Sequence, residues 1–176
     1  MKFHFENLGL LDEANIELAD LTLICGENNT GKTYATYAVY GFLRSWRGIL
    51  RFVLEDEINA LLKDAQQYRI DLSAMFDGKV DDYLARMGRE YVGGLPRAFA
   101  TETNVFESTV CVVRACKTTD LLSQSYQRTV QAGASGKVLA TLKKEAGSAM
   151  LDVLVADADV LQQPFGGLND FIADAI

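Results

Sequence analysis

Gly26-Glu27-Asn28-Asn29-Thr30-Gly31-Lys32-Thr33 fits the spacing G-x-x-x-x-G-K-S/T, and the rest of the chain is read outward from it. Glycines at both ends permit backbone angles that turn successive N–H groups inward, making a nest for anionic oxygens. In such a loop Lys32 would reach the β- and γ-phosphates of a nucleotide, and the Thr33 hydroxyl would ligate Mg²⁺. A helix opening at about Lys32 would add the positive end of its dipole to the same anion.

The flanks suit this reading. Upstream, Leu21-Thr22-Leu23-Ile24-Cys25 is a short apolar run ending at the first glycine, the pattern of a buried parallel strand. Downstream, Tyr34 to Leu43 is apolar nearly all round, which predicts a helix buried beneath a sheet. Before the loop, Lys2 to Asn7 and Glu13 to Leu18 alternate like two antiparallel strands joined through Leu8-Gly9-Leu10-Leu11. His4, the single histidine, reads as a strand-face residue with no catalytic partner nearby in sequence.

Composition bounds the class. The chain has 176 residues, 49% hydrophobic and 23% charged, as expected of a globular domain. No apolar run approaches the ~18 residues needed to span a bilayer, and the N-terminus lacks a signal peptide's apolar region. That predicts a cytoplasmic protein with no membrane partner. Cys25, Cys111 and Cys116 have no C-x-x-C spacing, so neither a disulfide framework nor zinc is indicated. Cys25 reads as a small buried filler at the end of its strand. The net charge of −7 argues against a general nucleic-acid surface. Yet residues 32–150 carry sixteen basic side chains against thirteen acidic, which leaves room there for a locally basic face.

Further along, Ile49, Leu50, Val53, Leu54, Ile58, Leu61 and Leu62 recur at helical spacing within a region from about Arg44 to Tyr68, with Trp46 opening the stripe. A second helix is predicted from about Ser73, as its cap, to Leu95 before Pro96. Ser108 to Val113 reads as a strand, and Tyr126 to Gln131 with Lys137 to Leu142 as a hairpin turning through Gly133 to Gly136. Residues 148–161 read as helix or strand, with the spacing of Met150, Leu151, Leu154, Ala158 and Leu161 favouring helix, and Leu168 to Ile176 begins another helix.

Two features discriminate among phosphate-loop classes: the antiparallel pair before the loop, and asparagine at its third position. Residues 1–43, from Phe3-x-Phe5-Glu6-Asn7 through Leu21-Thr22-Leu23-Ile24-Cys25-Gly26 to Lys32-Thr33, resemble the N-terminus of ABC/SMC-type AAA ATPases, the broad set that includes RecF- and OLD-like proteins. The resemblance covers about a quarter of the chain. It implies an α/β fold: a P-loop NTPase lobe with an N-terminal antiparallel β-hairpin, a P-loop strand–helix unit, a helical insertion and further strands. It further implies one domain over 1–176, incomplete at its end, with strands, loop and first helix in 1–43, mainly helix in 44–97, mainly strand in 98–146 and helix in 147–176.

The same resemblance implies ATP and Mg²⁺ as cofactors, bound by Gly26, Glu27, Asn28, Asn29, Thr30, Gly31, Lys32 and Thr33, with Thr33 on the metal. Its partners would be a second copy or a second ATPase segment, because such heads sandwich ATP between two protomers; DNA is a further candidate. Hydrolytic parts are missing from the pattern. Nothing reads close to L-S-G-G-Q, although Ala134-Ser135-Gly136-Lys137 has a serine and one glycine. Leu151 to Asp157 imitates a Walker B strand with Asp157 as the metal-side acid, but Ala158 stands where a catalytic glutamate belongs. No glutamine among Gln66, Gln67, Gln124, Gln127 and Gln131 can be assigned to a Q-loop. The expected activity is therefore ATP binding, with hydrolysis awaiting groups supplied from elsewhere, in DNA maintenance or phage defence. A small-molecule kinase, with Arg86, Arg89 and Arg97 as lid arginines, and a non-catalytic module retaining a remnant loop are the competing readings. A GTPase fits poorly, since no N-K-x-D motif occurs.

Overall fold

The computed structural model describes residues 1–61, 67–115, 123–132 and 136–156. They fall into two compact units, each made of two separate pieces of chain: Met1–Ile49 with Gly78–Lys117, and Leu50–Asp77 with Thr118–Ile176.

In the first unit, Lys2–Leu8 (β1) and Leu11–Glu17 (β2) form the expected antiparallel hairpin. Val110–Arg114 (β4) pairs antiparallel on the other side of β1, so the sheet order is β2-β1-β4. Alternation divides its faces. Phe3, Phe5, Cys111 and Val113 are buried, whereas Lys2, His4 and Glu6 project from the other side with Asn15 and Glu17 opposite them. Lys32–Leu61 (α1) begins where the sequence predicts, and Phe42 packs edge-on against both Phe3 and Tyr91. Val80–Ala98 (α3) lies so close to β4 that a Cβ on Gly88 would come 2.3 Å from the Cys111 carbonyl oxygen.

Four expectations in this unit are corrected. Leu21 to Cys25 is not a strand: no described strand lies beside it to take its backbone hydrogen bonds, and Leu21 and Leu23 are 75% and 76% exposed. Cys25 is accordingly exposed, not a buried filler. The first turns of α1 are not buried all round. Ala35, Ala38, Val39 and Phe42 are, while Tyr37, Tyr40 and Leu43 face outward. Finally, α3 runs through Pro96 to Ala98, held by Leu95, which is fully buried, and Phe99, whose ring stacks on Tyr34. It ends in a Schellman-type closure, with Thr101 N–H bonded to the Pro96 carbonyl and Ala100 at φ 50°.

The second unit contains a four-stranded antiparallel sheet, ordered β3-β7-β6-β5. Its strands are Gln67–Asp71 (β3), Tyr126–Ala132 (β5), Lys137–Lys144 (β6) and Met150–Val155 (β7). The β5–β6 hairpin is the one read from sequence. Tyr68, Ile70, Val130, Ala140, Leu142, Leu151, Val153 and Val155 form its buried set, with Leu50, Val53, Leu54 and Ile58 buried along the second half of α1.

Here too the helical extrapolation went too far. The predicted helix from Arg44 overran β3, whose Tyr68 and Ile70 alternate inward against Gln67, Arg69 and Asp71 outward. The next helix divides into Leu72–Phe76 (α2) and α3 at Gly78, and Asp71, not Ser73, caps α2 by accepting from Ala74 N–H at 3.1 Å. Residues 150–155 are strand, not helix. Leu154 is apolar yet 53% exposed, so an apolar outward position hid the two-residue period. Asp157, Ala158, the Ala134-Ser135 pair and Leu168 to Ile176 lie outside the described residues.

Candidate phosphate-binding site

The loop Gly26 to Gly31 is exposed except for Gly31, and leads directly into the first turn of α1. Asn29 has φ 63° and Gly31 φ 79°. Asparagine tolerates that region best after glycine, which accounts for its place in the loop. At Gly31 a second constraint applies: an added Cβ would come 2.5 Å from the Leu11 side chain. The hairpin turn presses on α1 as well, since a Cβ on Gly9 would lie 2.2 Å from the Tyr34 ring. Thus β2 and the turn before it fix the level of the loop. Sequence reasoning saw the glycines but missed Leu11 and Tyr34, because only the folded hairpin brings them there.

Lys32 is half-buried and folds back over its own loop. Its Nζ donates to the Gly26 carbonyl at 2.9 Å, to the Glu27 carbonyl, and to Thr30 Oγ1 at 3.4 Å. Thr30 Oγ1 in turn donates to the Glu27 carbonyl at 2.9 Å. The lysine therefore uses its three donors on neutral oxygens of the loop. Thr33 is exposed at the start of the helix. A cavity of about 400 Å³ opens beside Lys32, walled by Ala14 and Ile16 of β2 and by Leu23 and Ile24.

Acidic chemistry around this cavity is spoken for. Glu17 lines it but is ion-paired to Lys2 at 3.1 Å. Among the described residues no group of three or more His, Cys, Asp or Glu side chains is gathered to hold a metal ion. His4, on the outer sheet face, bonds to Glu6 at 3.0 Å and to Asn15 at 2.8 Å; these two contacts, Glu6 first, raise its pKa above 6.5.

A family model described as an AAA ATPase domain matches residues 1–154, well over half of the chain. This chain belongs to the AAA ATPase domain family. The match agrees with the ABC/SMC-type resemblance carried by residues 1–43, and it makes nucleotide binding of the P-loop NTPase kind the family-level function of the domain. No curated protein and no solved structure matches it. In this AAA ATPase domain the described helices include none long and apolar enough to cross a membrane.

Proposed function

We propose that Gly26 to Thr33 of this cytoplasmic AAA ATPase domain holds the phosphates of ATP–Mg²⁺, and that the chain by itself binds nucleotide without turning it over. The observation that carries this reading is the hand-off from a loop with Asn29 and Gly31 at positive φ into the first turn of a 30-residue helix, with Lys32 folded over that loop. On binding, Lys32 exchanges neutral carbonyl and hydroxyl oxygens for anionic phosphate oxygens, a stronger set of acceptors. The loop N–H groups and the α1 N-terminus face the same charge.

The donor set fits the cation as well. An exposed hydroxyl immediately after the lysine is what a phosphate-bridged Mg²⁺ takes from a protein, since this ion keeps most of its ligands as water and phosphate. When bound, Mg²⁺ neutralises charge on the phosphate oxygens, and Thr33 would hold it. The base and ribose would enter the cavity beside Ile16 and Ile24.

Hydrolysis needs a group that positions and activates water. Glu17 is held by Lys2, so that group would come from a second copy or another ATPase segment, while Asp157 is this chain's candidate for the metal-side acid. Self-association on ATP would then couple the domain to DNA maintenance or phage defence.

A titration with a fluorescent ATP analogue and Mg²⁺ tests the core of this reading. Wild type should bind; Lys32→Ala should weaken binding at least about tenfold, the loss of one charge-assisted contact set. Unchanged affinity in Lys32→Ala would refute the phosphate assignment, and turnover by the chain alone with a small acceptor would favour a kinase.

A further inference from the structure

Away from the phosphate loop, α1 and α3 of the first unit border an open groove of about 840 Å³. Tyr37 and Tyr40, 58% and 61% exposed, present aromatic surface along its α1 wall, one helical turn apart. Arg44 follows a turn later, and Arg97 reaches in from α3; both are exposed, and neither has an ion pair among the described residues. Among the described residues Glu90 is the one carboxylate in the lining. In a chain of net charge −7, two unpaired arginines beside two exposed tyrosines are a local reversal.

The glycines of the groove separate into two kinds. Gly41 has a packing reason, because a Cβ there would meet the Tyr91 hydroxyl at 2.4 Å. Gly94 has none: among the described residues nothing lies within 4 Å of where its Cβ would be, and Gly93 beside it is equally open. Two consecutive glycines weaken a helix. Among the described residues no close approach depends on them, and at Gly94 the lining of the groove carries no side chain.

We propose that this groove binds a nucleotide unit, with the base stacked on the Tyr37–Tyr40 face above Gly94 and the phosphate held by Arg44 and Arg97. Aromatic faces accept any base, and a planar guanidinium matches phosphate oxygens in pairs. Glu90 can accept from a sugar hydroxyl or a base amino group. The site is distinct from the phosphate loop and does not depend on it.

The probe is a fluorescein-labelled oligothymidylate of about twelve nucleotides with a 5′-hydroxyl, followed by anisotropy without ATP. Wild type should bind it, more weakly as salt rises. Gly94→Leu, whose added Cβ has open space around it, and Tyr40→Ala should each weaken binding about tenfold. Tyr40→Ala should keep the wild-type melting temperature, Gly94→Leu should melt at or above it, and Lys32→Ala should bind as wild type does. Displacement by AMP would identify a free nucleotide as sufficient; binding of the oligonucleotide without displacement by AMP would identify the strand as the ligand. The proposal is overturned if wild type binds neither probe, or if Gly94→Leu and Tyr40→Ala bind as tightly as wild type. It is also overturned if Gly94→Leu abolishes self-association in a chain that binds no nucleotide there, which would assign the groove to a protein helix.

Discussion

The second unit's sheet and the 21–25 segment of the first unit are similarly apolar, and they end in opposite environments. In the sheet, Leu151, Val153 and Val155 are buried, and β7 hydrogen-bonds to a strand on each side. Leu21 and Leu23 are about three-quarters exposed on a segment with no described strand beside it. Side-chain character does not separate the two; backbone pairing does. An extended segment can be buried only where its N–H and C=O groups also find partners. The unpaired segment runs into the candidate phosphate loop, in keeping with the tendency of functional sites to break local rules that the scaffold obeys.

The largest effect that would test this contrast is Leu151→Ala. It removes a fully buried side chain and should cost about 2–5 kcal/mol in urea unfolding. Leu23→Ser should change stability by less than about 0.5 kcal/mol, as for a solvated position. Equal losses would erase the distinction between the two regions. Gly31→Ala comes next. It forces φ 79° on a residue with a Cβ and crowds Leu11, so a loss of about 1–3 kcal/mol is expected. Nucleotide affinity should fall with it, and thermal unfolding alongside the ATP titration reads both. An unchanged variant would mean that the loop is free to adopt another path.

The smallest effect belongs to His4. Its folded pKa is raised by Glu6, then by Asn15, with Glu13 adding charge nearby. A raised folded value stabilises the protein fully below the unfolded pKa of about 6.5, and that stabilisation is lost as pH rises through the folded value. His4→Gln should therefore narrow the difference in melting temperature between about pH 5.5 and about pH 8. Identical differences in both proteins would show that the exposed cluster is electrostatically silent.

Much of the first unit was legible in the sequence, because its signals are local. Alternation in Lys2 to Asn7, the G-x-x-x-x-G-K-S/T spacing and the helix start at Lys32 each depend on a few consecutive residues. What failed depends on distant neighbours. Whether Leu21 to Cys25 is a strand is decided by a partner, not by its own residues. Met150 to Val155 was misread because Leu154 supplied an apolar residue at an outward position. Pro96 marked a helix end that the packing of Leu95 and Phe99 moved three residues on. Within the candidate site, the loop was visible as a pattern, while the pressure of Leu11 and Tyr34 on it was not.

The interleaving of the two units also bears on how the chain assembles. β1 forms its first pairing with β2, a few residues away, but its second with β4, more than a hundred positions later. The excursion through Leu50–Asp77, which belongs to the other unit, is synthesised in between. High contact order of this kind slows folding, since the loop-closure entropy is lost before the distant contacts form. A nascent chain that has not yet reached Val110 would carry the glycine loop on a two-stranded hairpin, which is marginal by itself. For the same reason no single cut separates the units, and an excised first unit would have to be rejoined across the gap between Ile49 and Gly78.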